Sequence, residues 1–189
     1  MPCITRRRAL QCCAGLLAAT AGCNDIDRSA QPTTQPSGGA VGDYETVALR
    51  SDGPIVADNR DEDTDGRRSV SALLRSASED RIRFVADHER ADDARAFVED
   101  TRFDDASVFV EQSRVGECYH REVMSASRSG NRFSVEFCEV LRDAGIACEK
   151  DASDVQATFV RLPFAFEDAP EGYSLGYGGN CPAAGGEER

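Results

Sequence analysis

The chain has no tryptophan and one lysine, Lys150. Its 189 residues hold two histidines, His88 and His120, too far apart in sequence to form a recognisable site. No Cys-x-x-Cys pair occurs, the spacing by which one turn presents two sulfurs to zinc. This gives no metal site and no cofactor. No Asn-x-Ser/Thr acceptor for N-linked sugar is present. The longest apolar run, Ala9 to Gly22, has 14 residues, short of the ~20 that a spanning helix needs. Positive charge is scarce: 22 basic residues stand against 34 acidic ones, a net charge of -12. Such a surface repels nucleic acid and anionic lipid, which excludes a phosphate-backbone binder.

The charge is unevenly placed. Arg6, Arg7 and Arg8 lie in an N-terminal segment without any acid, leaving 19 basic and 34 acidic side chains, a balance of -15, on the rest. An acidic, lysine-poor, tryptophan-free chain resembles the proteins of extreme halophiles. In molar salt the Debye length falls to ~3 Å, so the carboxylates hardly repel one another there.

The start, MPCITRRRALQCCAGLLAATAGC, has a charged head followed by an apolar run of signal-peptide size. Thr5-Arg6-Arg7-Arg8-Ala9-Leu10 looks like a twin-arginine export signal, with Arg6 and Arg7 as the pair. Thr20-Ala21-Gly22-Cys23 resembles a lipobox, whose cysteine is lipidated and becomes the mature N-terminus. Thr20 stands where a lipobox usually has a large aliphatic residue. The expected organisation is a signal at 1–23, a tether at 24–43 rich in Pro, Gly, Ser, Thr and Gln, a domain at 44–182 and a tail at 183–189.

Of eight cysteines, Cys3, Cys12 and Cys13 belong to the signal and Cys23 takes the lipid. Cys118, Cys138, Cys148 and Cys181 remain, and four cysteines in an exported chain imply two disulfides with three connectivities. The favoured pairing is Cys138 with Cys148, a short local loop, and Cys118 with Cys181.

Tyr44 to Arg50 reads as a first strand and Asp58 to Arg68 as a polar loop. Val70, Leu73, Leu74 and Ala77 fall at i, i+3, i+4 and i+7, the spacing of a short helix. RIRFVA (Arg81 to Ala86) alternates as a strand, and Ala91, Ala94, Phe97 and Val98 mark a helix from about Glu89 to Asp100. From Ser107 onward the pattern is β: SVFVEQ, then a hairpin turning at Gly130-Asn131, then Val155 to Leu162 stopped by Pro163, then a strand through Tyr173, Leu175 and Tyr177. The fold class is mostly β, an antiparallel sandwich or half-open barrel with one or two helices on the N-terminal side; α+β is the alternative.

Phe103-Asp104, SVFVEQ and Arg161-Leu162-Pro163 give the stretch from about Thr101 to Tyr177 a loose resemblance to the C-terminal domain of the PrcB family. That family's Gly-Gly-Tyr-Ser element falls near Gly116-Glu117-Cys118-Tyr119, which departs from it. By composition and signal together, the whole chain resembles the surface lipoproteins of haloarchaea. That resemblance implies an export route and a location, but no activity.

Two motifs carry a possible chemistry. Gly172-Tyr173-Ser174-Leu175-Gly176 fits Gly-x-Ser-x-Gly, the nucleophile elbow of esterases. An elbow needs a buried strand before it, a helix after it and a histidine downstream. Here both histidines lie upstream and GYGGNCP follows, so no catalytic residue is assigned. Asp61, Asp63, Asp65 and Gly66 match the first half of a calcium loop, but its twelfth position is Ala72 instead of Glu. Asp92-Asp93, Asp104-Asp105 and Glu187-Glu188 read as solvated surface.

The expectation is therefore a non-enzymatic cell-surface lipoprotein, held on the outer face of the membrane by its lipid, with a partner-binding or a structural role at the envelope, an envelope protein as the candidate partner and no nucleic acid. Two alternatives stay open. One is an extracellular serine hydrolase using Ser174 with His88 or His120. The other is an accessory lipoprotein that binds a small ligand or calcium.

Overall fold

The computed structural model describes residues 39–60, 69–85, 88 and 90–181. Cys23, Arg6, Arg7, the tail and the calcium-loop residues Asp61, Asp63 and Asp65 lie outside them. Within the described residues are ten strands and one helix: β1 (Gly39–Val41), β2 (Glu45–Ser51), β3 (Val56–Asp58), β4 (Val70–Leu74), β5 (Ile82–Phe84), α1 (Ala91–Glu99), β6 (Ser107–Gly116), β7 (Tyr119–Ser129), β8 (Arg132–Leu141), β9 (Ser153–Leu162) and β10 (Gly172–Asn180). Strand β1 falls inside the stretch read from the sequence as tether.

The strands form two four-stranded sheets packed as a sandwich, in the orders β1-β7-β8-β10 and β2-β9-β6-β4, with a separate β3-β5 ribbon. The second sheet is covered on both faces. Strand β6 sends Val108 and Val110 to one side and Phe109 to the other; β9 sends Ala157 and Phe159 one way, Val160 and Leu162 the other. The first set packs with Leu49, Ile55, Val56 and Ala94, beneath the ribbon and α1. The second packs with Ala126, Phe133, Val135 and Phe137 of the facing sheet. A strand buried on both faces reads as a continuous apolar run, which explains SVFV at the start of β6.

The helix expected from Val70 to Ala77 is not formed. Val70, Ala72 and Leu74 alternate into the core, and β4 pairs with β6 from Val70↔Gln112 to Leu74↔Val108. Val70 and Leu74 fit either period, and the waiting edge of β6 decided between them. The helix expected near residues 89–100 is α1. Asp92 and Asp93 occupy its first turn, where acids suit the helix dipole. Its last turn is tied down by Thr101 and Arg161, both donating to the carbonyl of Phe97 at 2.8 Å.

The β7-β8 hairpin turns at Gly130-Asn131, with Gly130 at φ 59°, a left-handed conformation that glycine adopts without steric cost. Most pairings are antiparallel, but β10 lies parallel to β8. The chain reaches it by crossing to the other sheet through β9.

That crossing also corrects the disulfides, which are Cys118–Cys148 and Cys138–Cys181. Parallel pairing sets Asn180 opposite Glu139, so Cys181 arrives beside Cys138, with Cα atoms 4.8 Å apart. Cys148 lies in the loop returning to β9, whose Ser153 pairs with Gly116 next to the turn holding Cys118. Strand register, not nearness in sequence, selected the partners.

Candidate functional site

The inner face of β6 changes character along its length. Phe109 is packed among aromatic rings, but Glu111, two residues on, is also buried at 2 % exposure. Its Oε1 accepts a hydrogen bond from the Tyr177 hydroxyl at 2.9 Å, and the Ser113 hydroxyl bonds it as well. Arg121 of β7 lies beside this pair. Its guanidinium sits 4.9 Å from the centre of the Tyr177 ring, donates to Ser113, and has Nε 3.6 Å from Glu139 Oε1.

Burial pushes the Glu111 carboxyl above the usual range, and the bonds from Ser113 and Tyr177 and the charge of Arg121 only partly oppose it. Burial, then the neighbouring Glu111, push the Tyr177 phenol upward too. The arrangement is a buried carboxyl hydrogen-bonded to a phenol, beside a guanidinium, at the side of the sandwich where β10 lies. Sequence reading missed Glu111. The available signal was one acid in register with the apolar residues of a strand too apolar to face solvent.

Strand β10 forms the edge of its sheet, and no described strand pairs with its outer side. Tyr173, Leu175 and Tyr177 face inward. Tyr173 stacks on Phe133 at 5.5 Å and leans on Phe109 at 5.4 Å, while Tyr177 stacks on Phe137 at 5.8 Å. Both tyrosines nevertheless keep about half their surface in solvent, 43 % and 52 %. From Gly172 to Asn180 there is no charged residue and no proline. A groove of about 230 Å³ runs beside Tyr173, between β10 and β4, lined also by Leu73, Arg75, Arg81 and Pro170.

Ser174 lies mid-strand, on the outer face, in register with Ser134. It lines a depression of about 100 Å³ with Ser127, Ser129, Arg132, Phe133 and Ser134. It therefore stands on a flat strand, not at a strand–turn–helix elbow. Neither histidine is near it in the fold's connections. His88 Nε2 lies 2.6 Å from the carbonyl oxygen of Arg50, and His120 Nε2 lies 2.9 Å from Glu122 Oε1. Among the described residues no group of three or more His, Cys, Asp or Glu side chains is placed to hold a metal, and no helix is long and apolar enough to cross a membrane.

All four domain cysteines are oxidised in pairs, as expected in an extracellular or otherwise oxidising environment. Cys138–Cys181 fastens the far end of β10 to β8. Cys118–Cys148 braces the β6-β7 turn, which Arg50 also holds. Arg50 donates to the carbonyls of Tyr119 at 2.5 Å, Glu117 at 3.0 Å and Gly116 at 3.1 Å, and pairs with Asp154 at 2.6 Å. Comparison with protein-family models, curated proteins and solved structures finds no match.

Proposed function

We propose that the chain is an exported, lipid-anchored and non-enzymatic surface protein that binds a protein partner along the open edge of β10. One observation carries the binding reading. In a chain where 30 % of residues are charged, a nine-residue edge strand carries no charge and presents two half-exposed tyrosines. Proteins usually guard such edges with charge, proline or a covering loop, because unpaired backbone groups accept a further strand. Tyrosine brings large contact area with little conformational freedom to lose.

Export and anchoring rest on the twin-arginine pattern at Arg6-Arg7, on Cys23 after small residues, and on the two disulfides. The acidic surface suits high salt and leaves the membrane link to the lipid.

The binding test is a photo-crosslinking residue at position 174, with position 151 in the β8-β9 loop as control, followed by capture from the envelope of the producing cell. A cross-linked species from 174 and none from 151 is expected; silence at 174 overturns the reading. Export is tested by intact mass. The expected mass begins at Cys23, includes lipid and rises by the mass of four hydrogens on reduction of the two disulfides. A mass beginning at Met1 or Pro2 with free thiols overturns it.

A further inference from the structure

We infer that the occupant of the β10 edge is a second copy of this chain, paired antiparallel with β10 about a two-fold axis through Leu175. The inference rests on the reading of β10 as a binding edge.

The strand's sequence is its own mirror. Read outward from Leu175, Gly176 and Ser174 are both small, Tyr177 and Tyr173 are identical, and Gly178 and Gly172 are identical. Antiparallel pairing centred on Leu175 sets Tyr173 opposite Tyr177 of the second copy, twice. Directly opposite residues share a face in such a pair, and both tyrosines already face inward. The rings that are half in solvent would then cover one another. A two-fold contact requires this self-complementarity, since the same strand supplies both sides.

Charge selects the same place. A chain at -12 repels its own copy, and β10 is a nine-residue path without a carboxylate. In the centred register the first flanking acid, Glu171, meets Gly179 and not another acid. The β10 ladder is also regular from Gly172 to Tyr177, with its irregularity confined to the stretch after Tyr177. The palindrome's centre is thus straight enough to accept a neighbour, and four glycines in the strand leave it weak without one.

Sedimentation velocity on the full chain in neutral detergent, from about 1 µM to about 1 mM in molar salt, is the test. A reversible dimer is expected, and hydrogen exchange should show amides of Gly172–Tyr177 becoming more protected as concentration rises. Ser174→Glu sets acids diagonally across the axis and should weaken the dimer at least about tenfold, less so in molar salt. A monomer at every concentration overturns the inference. So does a dimer whose β10 amides exchange at a constant rate, or a folded S174E dimer of unchanged affinity. The exchange measurement needs no variant. Cross-linking from position 174 to a different protein, with a monomer in solution, would overturn self-pairing while leaving the binding reading intact.

Discussion

The Tyr177 hydroxyl donates to Glu111 Oε1 at 2.9 Å and so joins the edge strand of one sheet to an interior strand of the other. The carboxyl beneath it is held above the ordinary range chiefly by burial, and this sets the sign of a pH effect. A group whose folded pKa is raised adds stability below its unfolded value of about 4.5. That contribution disappears as pH rises through the folded value. Glu111→Gln keeps an acceptor for Tyr177 but cannot ionise. Thermal melts from pH 4 to pH 8 should therefore show the variant losing less stability on the alkaline side than the parent. Parallel curves would mean that Glu111 is ionised at no cost to the fold.

Loss of Cys138–Cys181 should be local in its structural effect and general in its energetic one. The bridge closes a loop of sequence separation 43; in the chain-entropy account its removal by a double Cys→Ser change costs about 4 kcal/mol. Limited proteolysis should then cut first within β10, whereas removing Cys118–Cys148 should leave β10 resistant.

Arg50 serves three carbonyls and one carboxylate with its side chain 20 % exposed. Arg50→Ala should cost about 2–4 kcal/mol in denaturant unfolding. Arg50→Lys should recover only part, because one ammonium cannot reproduce the planar fork. A cost below about 0.5 kcal/mol would show that water replaces the guanidinium at that turn.

Gln112 is buried at the β6 register position opposite Val70. Its Oε1 accepts from the backbone nitrogens of Ile55 and Val56 at 2.8 and 2.9 Å, and its Nε2 donates to the Val56 carbonyl at 3.0 Å. Gln112→Leu keeps the bulk and strands three backbone groups. A loss of about 2–5 kcal/mol is expected, and exchange of the Val56 amide should accelerate before that of β6. Gln112→Glu should fall between the two, since one of its oxygens still accepts.

Local pattern carried much of this fold. The Gly130-Asn131 turn, the β7-β8 hairpin, α1 and strands β6 and β9 all follow from spacing within a dozen residues. What spacing did not reveal were outcomes of pairing over distance. Val70 to Leu74 became a strand because β6 stood beside it. Cys138 found Cys181 because β10 runs parallel to β8. Glu111 became a buried acid only once a second sheet closed over β6. At the candidate site, Ser174 drew attention through a motif, whereas the features that distinguish β10 are missing charge and mirrored tyrosines, both visible in the same nine letters.

The two apolar clusters on either side of the β2-β9-β6-β4 sheet have no separate walls. Strands β6 and β9 supply alternate side chains to each, so neither cluster can loosen while the other keeps its register. Denaturation should accordingly be one event. Phe159, beneath the ribbon, and Phe133, in the facing sheet, should report the same midpoint despite having no cluster in common.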